Sequence, residues 1–204
     1  MGLLLHESHP MLVHLPLTLL PAAAGADLVA ALRGEPGMAR AGRELWVAAM
    51  LSGLAAGLTG LASSQEVTTE EKSARDMMFL HGMGNLTLVL GTGAMALWRL
   101  RRGPTRRSAG LGLLATLAVG YTAYLGGEMV YSHEVGVKRS ARAVHSPPLL
   151  SRQAPGRLLV DALRGVRWLL SSLGRTVSGR EHLAHEALIG DGASARMQAP
   201  SDLV

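Results

Sequence analysis

Long apolar stretches, almost without charged residues, fill the first two-thirds of the chain. Four of them have the length of a membrane span: 10–32, 45–63, 77–98 and 109–131. Their only charged residues are Asp27 in the first and Glu128 in the last. Because about 20 helical residues, at about 1.5 Å each, cross the hydrocarbon core of a bilayer, the pattern predicts four transmembrane helices. We call these stretches predicted spans 1 to 4.

Predicted span 1 lies near the N-terminus, where a signal peptide is the alternative interpretation. A signal peptide begins with a basic region, yet no Lys or Arg precedes Leu20. We therefore expect the span to be retained. Pro16 and Pro21 lie inside it, and they predict a bent helix, because proline removes a backbone donor that neighbouring groups must replace.

The loops between the spans differ in their basic residues. The loop after span 1 contains Arg33, Arg40 and Arg43. The loop after span 3 contains Arg99, Arg101, Arg102, Arg106 and Arg107. The loop after span 2 has only Lys72 and Arg75 as basic residues. Since short basic loops stay in the cytoplasm, both termini are expected on the outer side.

The overall composition agrees with a membrane protein. Hydrophobic residues make up 48% of the chain and charged residues 17%, with a formal net charge of +5 and no cysteine. The lack of cysteine excludes thiolate metal sites and cysteine catalysis. A basic chain that is this apolar favours a membrane protein with cationic loops over a nucleic-acid binder.

Histidines that are distant in sequence collect at the outer end of the predicted bundle. His14 and His81 each lie four residues into an inward-running span, and Asn85 follows His81 by one helical turn. The other polar residues expected at this end are His6, His9, Tyr131 and His133. Because ionisable groups inside a membrane usually serve function, this end is the predicted site.

Polar and small residues of spans 2 and 4 form stripes at helical spacing. The stripe of span 2 consists of Ser52, Thr59 and Ser63, next to Gly53 and Gly57. The stripe of span 4 consists of Tyr121, Tyr124, Glu128 and Tyr131. Lipid penalises polar groups and small residues permit close packing, so both stripes are expected to face the bundle interior. Asp27, near the inner end of span 1, is expected to pair with a loop arginine.

Three hypotheses for the function remain open. The first is haem b, or another redox cofactor, between spans 1 and 3 for electron transfer, with His14 and His81 as axial ligands and Asn85 and Tyr131 beside them. The second is a divalent or copper ion, or a proton site, in a small transporter or sensor. Its candidate ligands are His9, His14, His81, Glu128 and His133. The third is a non-catalytic structural membrane subunit.

No catalytic signature occurs in the sequence, so the chain is not expected to be an enzyme by itself. Membrane lipid is the expected partner, with a redox protein or another membrane subunit as a further one and nucleic acid excluded.

Three segments together resemble a known family. They are HPMLVHLPLTLLPAAAGADLVA, LHGMGN and GGEMVYSHEVGV. The resemblance covers roughly 9–137 and is to a family of bacterial four-helix membrane proteins catalogued as domain of unknown function 2231. The matching positions are His9, Pro10, His14, Pro16, His81, Asn85, Gly126, Gly127, Glu128, Val130, Tyr131, Gly136 and Val137.

The resemblance implies a multi-pass protein of the bacterial inner membrane with no established activity. Some relatives look fused to cytochrome-c-like modules, which favours a redox role. The family usually carries an acidic residue near the end of the second helix, where this sequence has Ser63 and Ser64.

The region after the four-helix domain, 1–137, changes in character. A linker with three prolines is predicted at 138–156, an amphipathic helix at 157–177 and a mobile tail at 178–204. The basic helix is expected on the membrane surface, where it binds anionic lipid, or docked on the bundle or on a partner. His182 and His185 in the tail form a weak candidate metal pair.

The predicted fold class is therefore an all-α membrane protein, with an up-and-down bundle of four transmembrane helices and a C-terminal amphipathic surface helix.

Overall fold

The computed structural model describes residues 3–67, 69, 71–136 and 146–190. After a short 3-10 turn at Leu5–Glu7, its helices are α1 Ser8–Leu12, α2 His14–Arg33, α3 Pro36–Glu66, α4 Lys72–Arg101, α5 Arg106–Tyr131, α6 Ala154–Val177 and α7 Glu186–Ile189. Within these described residues, the only pairing of extended backbone is an isolated antiparallel bridge between Leu4 and Pro148. The prediction of an all-helical protein is confirmed.

The four long helices α2 to α5 pack around a common centre. Helix α2 contacts α3 and α5, and α4 contacts the same two helices on the other side. The α2–α3 connection is only Gly34 and Glu35, and Gly34 ends α2 with a left-handed φ of 70°. Such short connections make consecutive helices antiparallel neighbours. Helices α2 and α4 therefore lie diagonally opposite each other.

Three helical segments are long and apolar enough to cross a membrane: Leu5–Arg33, Pro36–Glu66 and Arg106–Tyr131. Helix α4 is also long, but His81 and Asn85, together with glycines and threonines, lower its hydropathy. Length and composition therefore support three of the four predicted spans. The span predicted at 77–98 is not confirmed by this criterion.

The helices extend beyond the predicted spans. Arg40 and Arg43, expected in a loop, lie in the first turns of α3, and Arg99 and Arg101 lie in the last turn of α4. The reason is that hydropathy marks the apolar part of a helix, whereas backbone hydrogen bonding continues through polar residues. Predicted span 1 is instead two helices that meet at Val13.

The break at Val13 explains how the chain accommodates its prolines. Pro16 falls in the first turn of α2, where its missing N–H is not needed by the helix. Pro21 lies in the interior of α2. The bend that the prolines predict stays a prediction, because Val13 keeps helical backbone angles and takes part in helical hydrogen bonds with His9 and Leu17.

The interior of the bundle is built from small residues. A Cβ atom built on Gly112 of α5 would lie 3.0 Å from Cβ of Ala24, and one built on Gly53 of α3 would lie 3.4 Å from Val89 of α4. Thr59 of α3 is buried and its hydroxyl donates to the carbonyl of Ala56 at 3.0 Å. The expectation that the small and polar stripe of span 2 faces the interior is confirmed.

A buried ion pair ties three helices together at the opposite end from the histidines. The Nε atom of Arg99 donates to both carboxylate oxygens of Asp27, at 3.1 and 2.9 Å, and the indole of Trp46 donates to Asp27 Oδ2 at 2.9 Å. Arg99 also donates to the carbonyls of Ala39 and Arg102. The expectation that Asp27 pairs with a loop arginine is confirmed for Arg99, which belongs to the last turn of α4.

Helix α6 docks on the bundle at the C-terminal end of α3. Gly165 lies directly against the carbonyl of Leu61, where a Cβ atom would clash with the backbone, and Leu169 packs on Gly82 of α4. Trp168 meets Phe79 edge to face at 6.5 Å. The predicted helix at 157–177 is present, and the docked arrangement is the one observed.

The predicted linker at 138–156 lies partly outside the described residues, which resume at Ser146. The segment 146–149 pairs with the N-terminal segment, with Leu5 N donating to Pro147 O at 2.9 Å and Leu149 N donating to Leu3 O at 2.7 Å. The part of the linker that is described is therefore held against the start of the chain.

The first part of the predicted mobile tail is docked, whereas 191–204 lies outside the described residues. Ala184 N donates to Asp76 at 2.8 Å, and Tyr121 donates to the carbonyl of Leu188 at 2.9 Å. Tyr121 and Tyr124 are each 45% exposed and Tyr131 is 88% exposed. The prediction that the tyrosine stripe faces the bundle interior is therefore wrong, because two of these hydroxyls find carbonyl partners on the C-terminal segment.

Candidate functional site

Two histidines from diagonally opposed parts of the bundle meet in its interior. His9 of α1 and His81 of α4 have ring centroids 6.3 Å apart, with their planes at 88°. This pair and Asn85 form what we call the histidine centre. One imidazole in a helical bundle is commonly a packing residue, but two in ring contact from separate helices form a potential binding site.

Each imidazole of the centre is anchored to the main chain of a neighbouring helix. Nδ1 of His9 donates to the carbonyl of Ala56 in α3 at 2.9 Å, and Nδ1 of His81 donates to the carbonyl of Thr122 in α5 at 2.8 Å. A carbonyl oxygen only accepts, so Nδ1 carries the proton in both rings. In the neutral ring, Nε2 then presents a lone pair.

Glycines form the notches in which the two rings lie. A Cβ atom built on Gly60 of α3 would lie 2.8 Å from Cε1 of His9, and one built on Gly126 of α5 would lie 3.1 Å from Cε1 of His81. Both contacts are tighter than packed side chains normally make. The absence of a side chain at these two positions therefore fixes where the rings can lie.

Asn85 completes the centre from the next turn of α4. Its amide nitrogen lies 3.0 Å from Nε2 of His81. Because Nδ1 of His81 carries the ring proton, Nε2 accepts this hydrogen bond from the amide. The spacing of four residues thus brings the two side chains into contact, and the predicted role of Asn85 in cofactor binding stays a prediction.

His14 does not take part in the centre. It lies on the exposed side of α2, and His9 occupies the place beside His81 that was predicted for it. His9 and His14 are five residues apart, which at about 100° per residue puts them on faces roughly 140° apart. The predicted depth of His14 was reasonable, but its helical phase relative to span 3 could not be read from the sequence.

The other predicted ligands lie elsewhere. Tyr131 ends α5 at 88% exposure, outside the histidine centre, so its place beside a cofactor stays a prediction. Glu128 accepts a hydrogen bond from Ser132 at 2.7 Å, and His133 donates to Glu71 at 2.9 Å. The bond from His133, together with one from Ser73, lowers the pKa of the Glu71 carboxyl below its ordinary value.

The predicted set of five metal ligands is not assembled. Across 3–67, 69, 71–136 and 146–190, no three histidine, aspartate or glutamate side chains come together as a possible metal site. Among the described residues, the histidine centre therefore offers two imidazole nitrogens.

A buried carboxylate, not predicted from the sequence, lies near this end. Glu66 lies in the last turn of α3 with its side chain fully buried, and it accepts a hydrogen bond from Ser146 at 2.6 Å. His6 Nδ1 lies 4.0 Å from the same oxygen. Glu66 thus gives the end of α3 a buried acidic residue, two positions after Ser64. The polar run QEVTTEE is typical of a loop, so the sequence alone does not indicate that Glu66 is buried.

A family of proteins described as "Predicted membrane protein (DUF2231)" matches residues 5–139 of the chain. The match includes α1 to α5 and thus all three residues of the histidine centre. No curated protein and no solved structure matches the chain.

Proposed function

The chain belongs to the DUF2231 family of predicted membrane proteins, and from this premise we propose that it binds a single copper ion at the histidine centre. His9 and His81 are the two protein ligands, each through Nε2. A site to which the described residues contribute two ligands suits a small transporter or a sensor, which must pass its ion on.

The anchoring of both rings by Nδ1 is the observation that carries this proposal. Metal-binding histidines commonly donate their second ring N–H to a backbone carbonyl, which fixes the tautomer and aims the other nitrogen at the metal. His9 and His81 both have this arrangement, with Ala56 and Thr122 as acceptors. A purely structural imidazole needs no such repetition on two helices.

Copper fits this ligand set better than haem does. Imidazole suits copper, zinc, nickel and iron, and monovalent copper accepts as few as two nitrogen ligands. A haem needs a wide slot for its macrocycle, whereas the glycine notches at Gly60 and Gly126 hold the two rings closely. These contacts favour a small ion over haem b or another large redox cofactor.

The membrane arrangement proposed with this site has four spans, with α4 as the fourth. Helix α4 is enclosed between α3 and α5 in the same ring as α2. From Gly82 to Arg101 it extends about 28 Å at about 1.5 Å per residue, close to the thickness of the hydrocarbon core. We place the arginine-rich end in the cytoplasm of a bacterial cell, so that both termini and the histidine centre lie toward the outer face.

Metal analysis of the purified protein tests the proposal. The full chain and its His9→Ala and His14→Ala variants are purified in mild detergent, incubated with copper, exchanged into copper-free buffer and measured for bound metals and for oxidised and reduced visible spectra. About one copper per chain is expected in the parent and in His14→Ala, and a loss of most of it in His9→Ala. Equal copper in all three, or none in the parent, contradicts the proposal. A Soret band that disappears in His9→Ala shows haem instead.

The Asn85→Ala variant tests whether Asn85 competes with the ion or supports its ligand, because the two roles change copper affinity in opposite directions. Its amide competes with the ion for Nε2 of His81, and a typical hydrogen bond contributes about 0.5–1.5 kcal/mol net. Removal of the amide is therefore expected to tighten copper binding by about 2- to 10-fold, measured by competition with a chelator of known affinity. Thr87→Ala is the control, because Thr87 is exposed on the same helix and bonds only its own backbone in the described structure. Weaker copper binding in Asn85→Ala would show that Asn85 supports the ligand instead of competing with the metal.

A further inference from the structure

The surface of helix α6 has three sectors, and we propose that the exposed apolar one lies in the interfacial layer of an anionic lipid leaflet. The inference concerns the membrane contact of α6 and does not depend on copper. Its three sectors face the bundle, the lipid and the water.

The first sector docks on the bundle. It consists of the buried residues Ala154, Asp161, Ala162, Gly165, Leu169 and Ser172. Gly165 allows the backbone of α6 to touch the carbonyl of Leu61, and Leu169 packs on Gly82. This sector is fully used by α3 and α4, so it is not available to any other partner.

The second sector is apolar and exposed. Leu159, Leu163 and Leu170 are 58%, 66% and 57% exposed, and Val166 is 39% exposed. These four side chains lie within roughly 60° of arc at about 100° per residue, directly beside the docked sector. An exposed apolar strip of this kind on a surface helix marks a contact with lipid or with another protein.

The third sector is polar and basic. It carries Arg157, Arg164, Arg167, Ser171 and Arg175. The centres of the three sectors are roughly 120° apart around the helix. A helix that lies flat in the membrane surface beside a bundle has protein on one side, hydrocarbon below and water above. The three sectors of α6 have this order.

The level of α6 along the bundle agrees with this position. Its contacts fall at Leu61 of α3 and Gly82 of α4, and the stretch of α4 from Gly82 to Arg101 is about as long as the hydrocarbon core is thick. These contacts place α6 at the outer end of that stretch of α4.

The charge of α6 selects the kind of lipid. The helix contains four arginines and one aspartate, and Asp161 pairs with Arg157 and Arg164 on its own helix. Basic residues near an anionic leaflet are attracted to its headgroups. A bilayer with anionic headgroups therefore fits the strip and its basic border better than an apolar groove of another protein does.

Spin labels on the cysteine-free chain test the proposal. Single labels at Leu163→Cys in the apolar sector and Arg164→Cys in the polar sector are compared in bilayers that contain phosphatidylglycerol. Both side chains are exposed. The label at position 163 is expected to be several-fold more accessible to oxygen than to a water-soluble nickel complex, and the label at 164 is expected to show the reverse.

Each alternative outcome overturns the inference in its own way. Equal nickel accessibility at both positions shows that the strip faces water. A label at 163 that is immobile and shielded from both reagents shows a protein partner, such as a second copy of the chain. In bilayers of phosphatidylcholine alone, the contrast between the two labels is expected to fall. An unchanged contrast there contradicts the role of anionic lipid.

Discussion

Replacement of Arg99 by methionine is expected to lower the free energy of unfolding by about 3–5 kcal/mol, as found when one partner of a buried ion pair is removed. The variant leaves the carboxylate of Asp27, which is 1% exposed, with only the indole of Trp46 as a described partner from another helix. It also removes the bonds from α4 to the carbonyl of Ala39. The inner end of the bundle is therefore expected to loosen in detergent well below the unfolding temperature of the parent.

Thermal unfolding in mild detergent measures this effect. Arg101→Met is the matched control, because Arg101 lies in the same last turn of α4 but is exposed. The double variant Asp27→Leu with Arg99→Met is expected to be more stable than Arg99→Met alone, since it leaves no unpaired charge. If Arg99→Met and Arg101→Met unfold at the same temperature, the ion pair does not tie the helices together.

Gly60→Ala is expected to destabilise the protein by about 1–3 kcal/mol, the usual cost of overpacking a well-packed interior. The new methyl group would lie 2.8 Å from Cε1 of His9, so the ring must leave its notch. Its hydrogen bond to the carbonyl of Ala56 is then lost, and with it the orientation of Nε2. Copper affinity is expected to fall at least 10-fold.

Gly57→Ala separates this steric effect from the ordinary effect of a glycine in a helix. A Cβ atom at Gly57 meets only Val89, at 4.0 Å, so it fits without a shift. Because glycine costs about 1 kcal/mol relative to alanine inside a helix, Gly57→Ala is expected to be neutral or stabilising and to bind copper as the parent does. If Gly60→Ala lowers the unfolding temperature and the copper affinity and Gly57→Ala lowers neither, the result supports a steric notch for His9 at Gly60. Equal behaviour contradicts it.

The sequence predicted the helical class and the polar end of the bundle, because both follow from hydropathy and alternation. It also predicted His81 with Asn85, since a spacing of four residues is enough to place both on one face. The sequence did not indicate whether His9 or His14 contacts His81. That contact depends on the helix break at Val13 and on the rotation of one helix against another. Those quantities are set by tertiary packing.

The tyrosines show a second limit of reasoning from polarity. Tyr121 and Tyr124 share a stripe with Glu128, and a rule that hides polar groups from lipid turns this stripe inward. The hydroxyls instead bind the carbonyls of Leu188 and Ile189. These carbonyls lie 67 and 65 residues further along the chain. No local sequence pattern indicates such distant partners.

Glu66 shows a third limit. Its position in a run of polar residues indicated a loop, yet α3 continues through it, and the side chain is buried by Ser146 and its neighbours. A helical stripe was present, because Ala56, Gly60 and Ser63 precede it at spacings of four and three residues. Such a stripe becomes informative only once the end of the helix is known.

X-ray absorption at the copper edge counts the imidazole ligands of the bound ion. Two imidazoles per copper are expected in the parent and in His14→Ala, and one in His9→Ala and in His81→Ala under saturating copper. A spectrum of the parent with no imidazole contribution, or one that is unchanged by His9→Ala and His81→Ala, would contradict the assignment of the histidine centre as the binding site.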